Sequence, residues 1–160
     1  MKTIDRNEYF MSLALGEAKK AAAMGEVPVG AVIVMGNKVI SSAFNTRETS
    51  RNALHHAEIK AIDAACKKLG GWRLFRCEMF VTLEPCPMCA GAIINSRIKK
   101  VVIGADDEKS GAVFSRDRLF EKGFNHKPDV VRGVLADECS TILSDFFDFL
   151  RRKRRDSAER

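Results

Sequence analysis

His56-Ala57-Glu58 and Pro85-Cys86-Pro87-Met88-Cys89 decide the fold of this chain. Together they offer one imidazole and two thiolates, which are donors that zinc takes in a tetrahedral site. No fourth Cys or His stands at a similar spacing, so the pattern indicates a catalytic zinc with one position open to water rather than a closed structural site. Glu58 adds the carboxylate that an activated water needs as a proton carrier.

Each half of this pattern is weak evidence when taken alone. A Cys-x-x-Cys pair is also typical of a redox couple or of two buried thiols, and His-x-Glu triplets occur by chance in helices. In this order and with the prolines, they form the pattern of zinc-dependent nucleobase deaminases. Only His56 has the right spacing to Glu58, so we expect His55 to be a wall or interface residue and His126 to be a hydrogen bonder in a loop.

The composition predicts one ordinary globular domain. The chain has 160 residues, of which 46% are hydrophobic and 30% charged. Asp5 and Glu8 interrupt the N-terminus before a signal peptide could form, and the apolar runs are far shorter than the ~20 residues of a membrane span. Five cysteines argue against a disulfide framework, so we expect a cytoplasmic protein without membrane contact, with Cys66, Cys77 and Cys139 as core thiols.

The net charge of +6 is concentrated at the C-terminus. Residues 151–160 contain six basic and two acidic side chains and therefore carry +4 of it. This segment has two interpretations: a binding surface for phosphates, or a helix end whose cations complement the macrodipole. We divide the chain into a zinc-dependent deaminase domain at 1–152 and a basic tail at 153–160.

The pattern of apolar and turn residues predicts an α/β domain with a mixed sheet, helices on both faces and an antiparallel hairpin at its start. The last helix should begin near Asp137 and bury Ile142, Leu143, Phe146, Phe149 and Leu150. The expected elements are helices at 5–24, 57–69, 87–97 and 116–122, and strands at 29–34, 39–44, 78–83, 101–104 and 129–134, with a loop at 45–55.

Both halves of the zinc pattern fall at predicted helix N-termini. Cys86 and Cys89 are three residues apart and share one face of a turn, so both sulfurs can reach one ion. The positive end of the helix dipole favours their thiolate forms. Glu58 lies about 200° around the helix from His56, so we expect it to approach the bound water rather than the metal.

Several segments resemble the bacterial tRNA-specific adenosine deaminases, over residues 5 to 152. The resemblance is carried by Gly25–Ala31, Phe44-Asn45, His56–Ile59, Thr82–Ile93, Gly104–Asp107, Asn125–Lys127, Gly133–Cys139 and Asp145–Phe147. It implies a three-layer α/β/α fold like that of cytidine deaminases, with a five-stranded sheet. It also implies conversion of adenosine to inosine at the wobble position of a tRNA anticodon, release of ammonia, and a homodimer with one Zn²⁺ per subunit.

The resemblance also assigns roles by position. It implies that His56, Cys86 and Cys89 bind zinc and that Glu58 donates the proton. The residues implied to contact the tRNA anticodon stem-loop are Asn45 in the base pocket, Val27, Pro28 and Val29 as its apolar wall, and Asp107, Lys109, Phe147 and Arg151 on the RNA side. No DNA partner is expected.

The chain departs from this family at His55, Asp106 and Ala112–Ser115, which bears on the RNA contacts and the dimer surface rather than on the metal. Two alternatives stay open at this point. One is a deaminase of free bases or nucleosides, which would share the same zinc pattern. The other is a non-catalytic zinc-bearing RNA-binding subunit, which would have no use for Glu58.

Overall fold

The computed structural model describes residues 3–160, and a five-stranded mixed sheet runs through its centre. The strand order is β2-β1-β3-β4-β5, with β1 antiparallel to β2 and β3, and with β3, β4 and β5 parallel. The elements are α1 (Arg6–Ala23), β1 (Gly30–Met35), β2 (Lys38–Phe44), α2 (Ala57–Leu69), β3 (Cys77–Leu83), α3 (Pro87–Ser96), β4 (Lys100–Ala105), a 3₁₀ turn (Leu119–Glu121), β5 (Asp129–Arg132) and α4 (Ala136–Ala158).

Helices cover both faces of the sheet, as predicted. Helices α1 and α4 pack on one face, while α2, α3 and the 3₁₀ turn pack on the other. Strand β1 supplies both cores with its alternate side chains, since Val32 joins the core under α1 and Ile33 joins the core under α2. The predicted three-layer α/β/α fold is therefore confirmed. Within residues 3–160, no helix combines the length and the apolar character needed to cross a membrane.

Local signals place the helix ends that matter for the site. The Asp5 side chain accepts a hydrogen bond from the Glu8 amide at 3.1 Å and caps α1. Gly70 ends α2 in the left-handed conformation, with φ of 72°. Pro87 occupies the first turn of α3, where its missing amide hydrogen costs nothing.

Gly30 allows α1 to lie directly on the sheet. A Cβ atom at this position would lie 2.6 Å from the backbone nitrogen of Ala18 and closer still to the carbonyl oxygen of Ala14. Any larger residue would therefore have to push the helix away from β1.

The structure corrects the prediction for the last helix. Cys139 and Phe146 are buried, Ile142, Leu143 and Leu150 are partly buried, and Phe149 is 56% exposed. The reason is length: 23 helical residues span about 34 Å, whereas the six residues of β4 span about 20 Å. The C-terminal half of α4 thus extends past the sheet that was expected to cover it.

Other differences are small. The predicted helix at 116–122 is a single 3₁₀ turn, and Cys66 is only partly buried, unlike Cys77 and Cys139. The predicted basic tail continues α4 as far as Ala158. The division of the chain at residue 152 stays a prediction.

Candidate active site

Two neighbouring helix N-termini bring the zinc pattern together. His56 is the N-cap residue of α2, and Cys86 is the N-cap residue of α3, which follows directly from the end of β3. Cys89 lies one turn further along α3 and is fully buried. Because α2 and α3 pack side by side, three residues from distant parts of the chain face one point.

The spacing of the three donor atoms fits a tetrahedral zinc site. The Nδ1 atom of His56 lies 3.6 Å from the sulfur of Cys86 and 3.5 Å from the sulfur of Cys89. Zinc–sulfur and zinc–nitrogen bonds of ordinary length, at the tetrahedral angle, give an N···S separation of about 3.6 Å. All three donor atoms lie within 4.8 Å of one another. The structure thus selects Nδ1 as the donor of His56, which the sequence could not do.

Without metal, the two thiols share a proton unequally. A hydrogen bond from Cys89 lowers the pKa of Cys86 to about 4, against the opposing effect of burial. The same interaction with Cys86, together with burial, raises the pKa of Cys89. A hydrogen bond with Cys86 also raises the pKa of His56. Cys86 is therefore already a thiolate, which is the form that binds metal.

Glu58 lies in the first turn of α2 and is only 4% exposed. Burial raises the pKa of its carboxyl group above the ordinary value. A carboxyl group that is buried next to metal donors and inclined to hold a proton is suited to general acid–base catalysis.

A cavity of about 180 Å³ opens beside this cluster. It is smaller than the roughly 300–1,000 Å³ pockets that take drug-sized ligands, which suits a single base. Its walls combine an apolar side with convergent polar groups. The lining residues are Val27, Val29, Asn45, Arg47, His56, Ala57, Glu58, Leu83, Glu84, Cys86 and Asp107.

Asn45 is held by backbone groups on both sides. Its Nδ2 donates to the carbonyl oxygen of Val27 at 3.2 Å, and its Oδ1 accepts from the amide of Arg47 at 3.2 Å. Its own amide donates to Val29 at 3.0 Å. One Nδ2 hydrogen and one lone pair of Oδ1 are left for a base in the cavity.

The residues expected on the RNA side are distributed differently. Asp107 lines the cavity, and its Oδ1 accepts from the amides of Lys109 and Ser110. The Lys109 side chain is exposed on the same loop, outside the cavity lining. Phe147, which is 42% exposed, and Arg151, which pairs with Asp148, lie on α4. Pro28 is buried and, unlike Val27 and Val29, does not line the cavity, so its predicted place in the apolar wall is corrected.

The two other histidines lie outside the donor cluster that the described residues form. His55 Nδ1 is 2.7 Å from the hydroxyl of Ser50, and His126 Nε2 is 2.6 Å from the carbonyl oxygen of Ile98. The expected role of His126 as a hydrogen bonder is confirmed. Asp106, the extra acid, forms an ion pair with Arg132 at 2.8 Å.

Sequence reasoning missed three residues around the cavity. Arg47 lies in its lining, and its charge opposes the increase in the pKa of His56 that the hydrogen bond with Cys86 causes. Glu26 and Glu84 are buried acids whose carboxylates accept backbone hydrogen bonds from the flanking loops. Burial acts to raise the pKa of Glu84, but hydrogen bonds from Phe114, Ser115 and Asp107 outweigh it and lower the pKa. No pattern of residue types marks such carboxylates, because their partners are backbone amides.

Comparisons with known proteins agree with this geometry. Residues 4–151 match the family model of MafB19-like deaminases. The chain is 50% identical over 151 residues to the tRNA-specific adenosine deaminase of Bacillus subtilis (strain 168), with 94% of each chain covered. A structure from studies of A-to-I editing by tRNA:A34 deaminases at the wobble position of transfer RNA aligns with a TM-score of 0.82 and 44% identity, covering 84% of this chain and 99% of that one.

The fold is also similar to that of a free-base deaminase. The guanine deaminase of Bacillus subtilis aligns with a TM-score of 0.60 and 37% identity, covering 71% of this chain and 72% of that chain. Both coverage and TM-score are thus lower than for the tRNA:A34 deaminase structure.

Proposed function

This chain belongs to the MafB19-like deaminases and to the tRNA-specific adenosine deaminases, and we propose that the adenosine it converts to inosine in tRNA is the one at the wobble position of the anticodon. The observation that carries the proposal is the meeting of three metal donors and a buried acid at a cavity suited to one base. An enzyme that acts on a base within RNA must take that base out of its stack, so a small enclosed cavity is what the reaction requires.

The residues that would hold the metal are His56, through Nδ1, Cys86 and Cys89. Their mixed nitrogen and sulfur donors and their tetrahedral spacing favour one Zn²⁺ per chain. When bound in such a site, zinc lowers the pKa of water to about 7.

Glu58 moves the protons of the reaction. Its carboxylate takes a proton from water as the water oxygen bonds to C6 of the adenine, and it delivers this proton to N1. Glu58 then transfers the remaining proton from the new C6 hydroxyl to the amine. The C6–N bond breaks, ammonia leaves, and the base is hypoxanthine with a carbonyl at C6. Burial raises the pKa of Glu58, which favours the protonated form that the second transfer requires.

The walls of the cavity orient the base. Val27 and Val29 offer an apolar surface to the ring, and Asn45 offers its free donor and acceptor to the polar edge. Asp107 also lines the cavity. These contacts would hold C6 towards the metal donors and Glu58.

Charge supports the remaining RNA contacts. Arg151 to Arg155 form an exposed basic run at the end of α4, and Phe147 offers an exposed ring on the same helix. Cationic side chains bind phosphates without regard to sequence, and aromatic rings stack on unpaired bases. We assign Phe147, Arg151 and Lys109 to the anticodon stem-loop on this basis.

A homodimer is part of the proposal. The outer face of α3 presents Met88, Gly91 and Ala92 towards solvent, and Phe124 beside it is 55% exposed. Exposed apolar surface of this kind favours association with a second copy. Sedimentation at micromolar concentration tests this, and an active monomer would contradict it. Because tRNA is the substrate, we place the enzyme in the cytoplasm.

The proposal is tested by incubating tRNA with the purified protein and sequencing it. Inosine is copied as guanosine, so the expected result is an A-to-G change confined to the wobble position. The zinc content of the same preparation should be one ion per chain. Turnover of guanine or cytosine together with an inert anticodon stem-loop would overturn the assignment in favour of a free-base deaminase.

A further inference from the structure

Glu84 is a buried acid without a cationic partner among residues 3–160. It is 2% exposed and lies between β3 and the metal-binding turn at Cys86. A carboxylate in such surroundings persists only when hydrogen bonds replace its water. The source of those hydrogen bonds shows what Glu84 holds in place.

Among residues 3–160, all of the hydrogen bonds to the Glu84 carboxylate come from the loop at 106–115. Its Oε1 accepts from the amide of Asp107 at 3.1 Å and from the hydroxyl of Ser115 at 2.5 Å. Its Oε2 accepts from the amides of Val113, Phe114 and Ser115 at 3.0 to 3.1 Å. The Glu84 carboxylate thus accepts hydrogen bonds from both ends of the loop that includes Asp107.

Two further contacts fix the loop against the metal-binding turn. The amide of Ala112 donates to the carbonyl oxygen of Pro85 at 2.9 Å. Gly111 packs so tightly that a Cβ atom would lie 2.5 Å from the carbonyl oxygen of Asp107 and closer still to the Glu84 carboxylate. The loop therefore has room for Glu84 only because residue 111 has no side chain.

We propose that Glu84 is a positioning residue that holds the 106–115 loop, and through it Asp107, at the mouth of the active-site cavity. It acts on affinity for the RNA substrate and leaves the metal donors and the proton transfer of Glu58 in place. The inference rests on the proposed function, because it requires that this loop contacts the anticodon stem-loop. The Ala112–Ser115 stretch, which departs from the family pattern, supplies five donors: four to this carboxylate and one to the adjoining metal-binding turn.

Two variants disturb this arrangement from opposite sides. Glu84→Gln keeps the size of the side chain but turns an NH₂ group towards backbone N–H donors, which leaves buried donors unpaired. Gly111→Ala leaves Glu84 unchanged and pushes the loop away from it. Gly71→Ala is the matched control, because a Cβ atom at that exposed turn meets no atom within 4 Å.

The experiment measures kcat and KM on an anticodon stem-loop, the zinc content, and hydrogen exchange of the loop amides in the full-length enzyme. Both variants should raise KM about tenfold, with kcat within about threefold of the parent. They should retain one zinc per chain and lose protection at the amides of residues 107 and 113–115. The control should match the parent in every measurement.

The outcomes separate a positioning role from a structural one. An unchanged KM in a folded variant whose loop amides exchange faster would overturn the inference, as would a loss of zinc with KM unaltered. If Glu84→Gln does not fold, Gly111→Ala decides the question by the same criteria. A parent enzyme that is inert on the stem-loop would instead overturn the proposed function itself.

Discussion

Replacing Glu58 with glutamine should abolish most of the activity while leaving the fold and the metal site intact. The side chain keeps its size, and the three metal donors belong to other residues. Glutamine cannot carry a proton between water, N1 and the leaving amine. The expected result is therefore a loss in kcat rather than in binding.

The magnitude follows from the burial of the carboxyl group. General acid–base catalysis contributes about 10²- to 10⁴-fold in rate, which corresponds to roughly 2.7–5.4 kcal/mol of transition-state stabilisation. Glu58 is 4% exposed, so bulk water cannot reach its place and act as a substitute proton carrier. We therefore expect a loss in the upper part of this range, at about 10³-fold or more.

Single-turnover kinetics on an anticodon stem-loop measures this loss directly. Asp63→Asn on the same helix is the matched control, because its exposed ion pair with Lys67 contributes little and lies away from the cavity. That variant should keep full activity. A Glu58→Gln protein with one zinc per chain and a rate within tenfold of the parent would refute the proton-carrier role.

Three further predictions concern packing, thiol chemistry and charge. Gly30→Ala should destabilise the protein by about 1–3 kcal/mol because it forces α1 off the sheet. Gly16→Ala should leave the stability unchanged, because a Cβ atom there meets no neighbour. Denaturant unfolding measures the free energy of unfolding of both variants, and equal values would contradict the packing argument. In metal-free protein the pKa of Cys86 is about 4, so this residue is a thiolate at pH 6. Burial raises the pKa values of Cys66, Cys77 and Cys139. Iodoacetamide should therefore label Cys86 before these three. Peptide mass spectrometry reads the order, and uniform labelling would be the adverse result. Replacing Arg154 and Arg155 with alanine should make the plot of log affinity for the stem-loop against log salt concentration less steep, by roughly 1.5 in slope. Fluorescence anisotropy measures this affinity. An unchanged slope would show that the two arginines do not contact phosphates.

Much of this architecture could be predicted because the deciding signals are local. Asp5, Gly70 and Pro87 act on the turn in which they stand, so the predicted ends of α1, α2 and α3 agree with the structure to within one residue. The meeting of His56 with Cys86 and Cys89 was also predictable, because zinc chemistry demands a limited set of donors.

The features that sequence reasoning missed depend on contacts between distant segments. The strand order follows from which edges pair in three dimensions, and no single strand encodes it. The sequence does not distinguish Glu84 from its neighbours in the motif, because its partners are backbone amides of the 106–115 loop. Every residue except proline has such an amide, so no pattern of residue types marks the contact. Phe149 was assigned to the core because helical spacing shows which face is apolar but not where the opposing sheet ends.

The continuation of α4 to Ala158 changes what the basic C-terminus can do. If the basic C-terminus were disordered, its cationic side chains would sample a broad volume, and each would lose conformational freedom on binding a phosphate. On a stiff rod they keep a fixed stagger of about 1.5 Å per residue, so they can match only a backbone that approaches at a compatible angle. The direction of that rod is set by the packing of Cys139 and Phe146 far upstream.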